Sequence, residues 1–274
     1  MKRLLVSLGY YILMIFLSIY FVFPIIWMII SSVKPSTELF TYPPKFIPSS
    51  WHLENFKEAW NAQPFNLYLK NSLLIVIFNT LGQIFSCTLV AYGFARYKFK
   101  GRELLFTILL ASMMIPWDVT MIPQYVLFKA LKWIDTLKPF IIPAWFGGPF
   151  YIFLLRQFLL TIPKELEEAA AIDGANPLQT FTKIFLPLMK PAIAILAIFN
   201  FVTCWNDFLG PLIFINNPQK YTLMLGVAQF RGLHHIEINK IMAITTIVSL
   251  PPLLCYILAQ KYFTEGIASV GIKR

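Results

Sequence analysis

Six long apolar stretches, near residues 7–30, 72–95, 104–126, 139–159, 191–213 and 240–261, limit what this chain can fold into. At about 1.5 Å of rise per residue, each is long enough to cross roughly 30 Å of hydrocarbon as a helix. The sequence therefore predicts an all-α polytopic bundle, read as a single transmembrane domain over 1–274. Composition agrees, since 58% of the residues are hydrophobic and only 13% are charged, against roughly a quarter charged in soluble domains. A net charge of +10 raises the question of nucleic acid. The Lys and Arg residues, however, sit at the ends of apolar runs and not along one polar face, so they read as membrane topology and no nucleic-acid partner is expected. Cys87, Cys204 and Cys255 each lie inside an apolar run with no CxxC pair, which reads as packing and not as a disulfide framework.

The start Met1-Lys2-Arg3, followed by a charge-free run from Leu4 to Ile30, has a basic end like that of a secretory signal. The run is too long for one and has no small-residue cleavage site, so a retained first helix is expected. Six crossings return the C-terminus to the side of the N-terminus, putting 1–6, 96–103, 160–190 and 262–274 on the inside. The totals of Lys and Arg, thirteen inside against ten outside, decide little. Their density decides: Arg96, Lys98, Lys100 and Arg102 fall together with no acid among them, which marks 96–103 as cytoplasmic. Lys129, Lys132 and Lys138 run against the rule. In the longest outside segment, about 31–71, Pro35, Pro43, Pro44, Pro48 and Pro64 block a continuous helix, and Trp51 and Trp60 suit the headgroup level.

The inside segment 160–190 carries the most informative pattern. Pro163 in a first turn, with Glu165, Glu167 and Glu168 near a positive helix end, predicts one short helix. Gly174 permits a turn. Asn176 as N-cap, Pro177 at the first helical position and Gln179 at the capping-box position then predict a second. Ala169, Ala170 and Ala171 leave a small surface that suits insertion into a partner's cleft.

Glu168-Ala169-Ala170, Gly174 and Ile184-Phe185-Leu186-Pro187 together make E-A-A-x3-G-x9-I-x-L-P, which resembles the cytoplasmic signature of ABC importer permeases. Ser31-Ser32-Val33-Lys34, Ala91-Tyr92-Gly93-Phe94-Ala95-Arg96, Trp205-Asn206-Asp207-Phe208 and Tyr221-Thr222-Leu223 resemble its maltose and oligosaccharide branch, so the likeness spans the chain. It departs from that branch in the short 214–239 segment, with His234-His235, and at Ser269-Val270-Gly271. The resemblance implies an ABC importer permease fold of six helices with both termini cytoplasmic, in a bacterial inner membrane. It implies a sugar or oligosaccharide permease acting with a second homologous permease, two nucleotide-binding ATPase subunits and an extracytoplasmic sugar-binding protein. Carried over by the signature, Glu168, Ala169, Ala170 and Gly174, with Asp173 beside them, dock the ATPase.

No Lys is followed by Ser or Thr, so the phosphate-binding GxxxxGK[ST] does not occur. ATP and Mg are expected on the partner ATPase, with no cofactor in this chain. Polar groups inside a membrane face a bundle interior. Asn200, Thr203 and Asp207 share one face of the fifth run, and Asn79, Gln83 and Ser86 one face of the second. They read either as a hydrophilic translocation path, with Trp205 offering an apolar body and a polar tip to sugars, or as interhelical hydrogen bonding. His52, His234 and His235 read as loop histidines and no metal site is expected. Pro143, Gly147, Gly148 and Pro149 read as an interrupted helix or a packing kink.

Three other functions stay open. The same machinery serves another solute such as a glycerol phosphodiester. An ion-coupled secondary transporter would want a midplane acid, for which Asp207 stands alone. A membrane-embedded enzyme lacks a clustered His, Ser-His or paired-carboxylate set, so no enzyme is expected.

Overall fold

The computed structural model describes residues 2–231 and 238–271, with side chains over 7–230, 238–258 and 260. His234, His235 and the basic side chains of Lys2 and Arg3 lie outside the described residues. Within them every regular element is helical: α1 (Lys2–Ser32), α2 (Glu54–Asn61), α3 (Phe65–Arg96), α4 (Arg102–Ser112), α5 (Trp117–Ala130), α6 (Lys138–Ile141), α7 (Pro149–Thr161), α8 (Glu165–Ile172), α9 (Pro177–Thr180), α10 (Leu186–Leu188), α11 (Lys190–Trp205), α12 (Leu209–Phe214), α13 (Leu223–Arg231) and α14 (Ile238–Gly271). Among the described residues, four stretches are long and apolar enough to cross a membrane. They become six if two bent helix pairs each count as one span.

Two of the six runs depart from the straight helices expected. The third, 104–126, is broken between α4 and α5, which meet at 97°. Pro116 has no N–H to continue the ladder and holds an extended conformation at the start of α5, and a proline disfavours helix in the residue before it. The fifth, 191–213, stops at Trp205. The Asp207 carboxylate accepts the Gly210 N–H at 3.0 Å, a local bond that competes with the helix, and Pro211 contributes no donor. The fourth run is interrupted at Gly147, whose φ of 84° ends a 3-10 turn over Pro143–Phe146 before Pro149 opens α7.

The chain divides into two compact units, one of Met1–Phe65 and Gly226–Leu250, the other of Asn66–Leu225 and Pro251–Arg274. In the first, the proline-rich stretch after α1 is ordered by a polar knot. The buried Lys34 ammonium is held by the Lys45 carbonyl and lies 4.4 Å over the Trp27 ring. The Lys34 carbonyl accepts from Asn55 at 3.3 Å and from Asn239 at 3.1 Å. Nearby, Glu38 accepts from Lys45 Nζ at 3.3 Å and Ser49 N at 3.1 Å. Hydrogen bonding from Ser49 lowers its carboxyl pKa below the ordinary carboxylate value.

The second unit has its core where the last turns of α3 meet α7 and residues 181–196. Leu155, Leu159, Phe185, Met189 and Leu196 are fully buried there, and the Tyr92 ring sits 5.0 Å from Phe181 and 5.2 Å from Phe185. At the other end of α3, Asn71 donates to the carbonyls of Gln219 and Tyr221, both at 3.0 Å, and Ser72 Oγ accepts the Leu223 N–H at 2.8 Å. These bonds anchor Tyr221-Thr222-Leu223.

Candidate functional site

The second unit contains a cavity of about 600 Å³. Its polar wall includes Asn79 and Gln83 from α3, Gln124 from α5, Asn200 and Thr203 from α11, and Asp207 from the break that follows. Trp117, Phe128, Phe140, Tyr151 and Phe214 supply the aromatic wall. Among the described residues, neither Lys nor Arg lines it.

The amides also tie the wall together. Asn200 Nδ2 donates to Asn79 Oδ1 at 2.9 Å and to Thr80 Oγ1 at 2.8 Å. Asn79 Nδ2 donates to the Phe140 carbonyl at 2.6 Å. Gln83 Oε1 accepts the Gly148 N–H at 2.8 Å, and Ser86 Oγ donates to the Trp145 carbonyl. The stripe on α3 thus satisfies backbone groups freed by the interruption between α6 and α7, as irregular backbone at membrane depth requires. Asn79, Gln83 and Asn200, which make these bonds, also line the cavity, whereas Ser86 does not.

Five of the six path candidates, Asn79, Gln83, Asn200, Thr203 and Asp207, come together around this cavity. Trp205 is not in its wall. Its side chain is 2% exposed, with the ring stacked on Phe201 at 5.5 Å. Helical spacing does not carry Asp207 there, since α11 ends before it. Gln124 and Tyr151 escaped the sequence reasoning, although the cost of a polar group in an apolar run applies to them as well.

The segment 165–188 is built from two short helices and a glycine turn. α8 begins at Glu165, so Pro163 precedes its first turn, which holds Glu165, Glu167 and Glu168. Gly174 has φ +76°. Its N–H donates to the Ala171 carbonyl at 3.1 Å, and the Ala175 N–H donates to the Ala170 carbonyl at 2.9 Å. This pair of bonds is a Schellman closure. Asn176 then caps α9 through a capping box with Gln179, both bonds at 2.9 Å. The chain continues through a π-helical turn, Phe181–Phe185, closed by the Leu186 N–H on the Phe181 carbonyl.

Glu168, Ala169, Asp173 and Gly174 are exposed, while Ala170 is buried. Ile172, 86% exposed, and Leu178, 67% exposed, flank the turn as bare apolar side chains. Phe181 and Phe185 root the segment in the core.

The family of binding-protein-dependent transport system inner membrane components matches this chain over residues 83–269. The probable ABC transporter permease protein YurM of Bacillus subtilis is 35% identical over 263 residues, covering 94% of this chain and 87% of that protein. The arabinooligosaccharides transport system permease protein AraQ of the same organism is 31% identical over 262 residues, covering 94% and 92%. Among solved structures, a chain of a bacterial ABC transporter involved in the import of the acidic polysaccharide alginate aligns with a TM-score of 0.82 at 22% identity. The alignment covers 95% of this chain and 97% of that one, a likeness of fold.

Proposed function

Since the chain belongs to the family of binding-protein-dependent transport system inner membrane components, we propose that it is one permease subunit of an ATP-driven importer for a neutral sugar or oligosaccharide. It forms half of the translocation path and pairs with a second homologous permease. An extracytoplasmic sugar-binding protein delivers the solute, and two nucleotide-binding subunits bind the ATP and Mg. The chain itself carries out no covalent chemistry.

The observation that carries this reading is the 165–188 segment, whose exposed apolar tip at Ile172 and Leu178 is rooted by Phe181 and Phe185 in the same core as α3 and α7. A partner that seats that tip and moves it acts on the helices bearing Asn79, Gln83 and Tyr151. Passive gating of this kind needs only a differential affinity of the ATPase for two arrangements of the bundle. The cavity supports a sugar as cargo, because aromatic faces pack against the apolar side of a pyranose while amides and Asp207 exchange hydrogen bonds with hydroxyls. An anionic solute such as a glycerol phosphodiester would meet Asp207 with no cation among the described residues of the wall to offset the repulsion.

The test is uptake by proteoliposomes carrying this chain with the second permease and ATPase subunits from the neighbouring genes. Neutral pentose and hexose oligosaccharides are expected to enter only with ATP and loaded binding protein. Uptake driven by membrane potential without ATP overturns the reading, and a glycerol phosphodiester carried in preference to every neutral sugar overturns the cargo.

Orientation is tested separately, in a background with Cys87, Cys204 and Cys255 replaced by alanine. With the termini and 96–103 in the cytoplasm, Lys57→Cys reacts with an impermeant maleimide in intact cells and Lys100→Cys reacts only after lysis. The reverse pattern inverts the topology.

A further inference from the structure

Arg96 is the last residue of α3, the helix that carries Asn79 and Gln83 to the cavity. Its side chain is only 3% exposed. A buried guanidinium is costly unless its donors are met. Nη2 donates to the carbonyls of Leu159 at 2.6 Å and Ile162 at 2.8 Å. The Leu159 carbonyl also accepts the Ile162 N–H at 3.2 Å in the closing turn of α7, and carbonyls at a helix C-terminus favour a cation. The guanidinium also lies 4.6 Å over the ring of Phe185, on the far side of the 165–188 segment. Its remaining capacity is unfilled, for Nε is buried with no hydrogen-bond partner among the described residues. Nη1 stands 4.0 Å from Glu167 Oε2 on α8, an ion pair too long to be a hydrogen bond. One side chain at the end of α3 therefore touches the end of α7, the first helix of the exposed segment and the aromatic root of its second half.

We propose that Arg96 is the positioning residue that transmits movement of the 165–188 segment into α3, with the Arg96–Glu167 pair as a joint that tightens and opens between transport states. The proposal rests on the reading of that segment as the ATPase contact. The two carbonyl bonds and the stacked ring keep α3 fastened to α7 and to Phe185, while the Glu167 contact has room to change. A displacement of α8 by about 1 Å toward α3 turns the long pair into a charge-assisted hydrogen bond. Lysine is a poor substitute, since a point charge on a flexible stem neither spans two carbonyls nor stacks as a plane.

The test uses the complete importer in proteoliposomes, with Thr203→Cys as a reporter in the cavity wall and the three native cysteines replaced by alanine. Alkylation of that thiol by a small polar maleimide is timed with the ATPase resting and with it trapped by vanadate. Trapping is expected to change the rate at least about fivefold, the lower range of allosteric coupling. Arg96→Met and Glu167→Gln each lose most of that change while the ATPase subunits stay bound and their basal hydrolysis persists. Arg96→Lys falls between them and the parent.

If both variants respond to trapping as the parent does, the joint is wrong although the reading of the segment stands. If they shed the ATPase, Arg96 supports docking and does not transmit. A parent that neither holds the ATPase nor responds to trapping overturns the reading of the segment and the joint with it. Should Arg96→Met fail to insert, Glu167→Gln decides, because the Glu167 side chain is 34% exposed and tolerates an isosteric change.

Discussion

Replacement of Gly174 by valine, or of Glu168 by lysine, is expected to abolish ATP-driven uptake while the chain remains inserted at normal levels. The two act through different physics. Gly174 holds a φ of +76°, and a β-carbon added there would meet nothing within 4 Å. The constraint is therefore conformational and not steric. A left-handed backbone costs a residue with a branched β-carbon on the order of 1–2 kcal/mol, enough to favour another turn and undo the closing bonds from Gly174 to Ala171 and from Ala175 to Ala170. The tip bearing Ile172 and Leu178 is then presented at the wrong angle.

Glu168 is exposed in the first turn of α8. Charge reversal there costs the helix only about 1 kcal/mol, but it sets a cation against the basic ATPase surface that the family resemblance implies. Salt separates the two. Raising ionic strength screens exposed charges beyond about 10 Å at 0.1 M, so it partly restores ATPase retention in Glu168→Lys and leaves Gly174→Val unchanged. Wild-type uptake and ATPase retention by both variants would sink the docking role of this segment.

The Gly174 turn and the Asn176 capping box were legible in the sequence because their causes are local: a residue that tolerates positive φ, and a side chain within reach of the next turn. The six apolar runs were legible for a similar reason, since length and the absence of charge are properties of a segment. What was not legible depends on where a helix breaks. The spacing of Asn200, Thr203 and Asp207 presupposes one helix through 207, yet the Asp207 carboxylate itself captures the Gly210 N–H and helps to end it. Asp207 reaches the cavity from a loop. Trp205 is its near neighbour in sequence but packs on Phe201 instead. Arg96 was read for its charge at a membrane face and as the end of the resemblance over 91–96, not for its contacts. No periodicity in the chain announces that its guanidinium reaches carbonyls more than sixty residues away.

Gly82→Leu is expected to destabilise the chain by on the order of 3 kcal/mol, as forced overpacking with loss of buried hydrogen bonds does. A β-carbon at 82 would lie 2.7 to 2.9 Å from three ring atoms of Trp145, so α3 and the interrupted fourth run touch there with no room for a side chain. Displacing Trp145 pulls on its carbonyl, which holds Ser86 Oγ, and on Gly148, whose N–H is bonded to Gln83 Oε1. Both bonds fasten the wall that presents Gln83, Pro143 and Ala144 to the cavity, so uptake should fall together with the melting temperature of the purified complex. A rescue distinguishes close approach from a general loss of helix packing. Trp145→Ala alone removes a ring from a side chain that is 43% exposed and costs little. Combined with Gly82→Leu, it vacates the space the leucine needs and recovers most of the lost stability, a strongly non-additive pair. If Gly82→Leu melts like the parent, or if Trp145→Ala gives no recovery, the contact between Gly82 and Trp145 is not what sets the path of the chain through its fourth run.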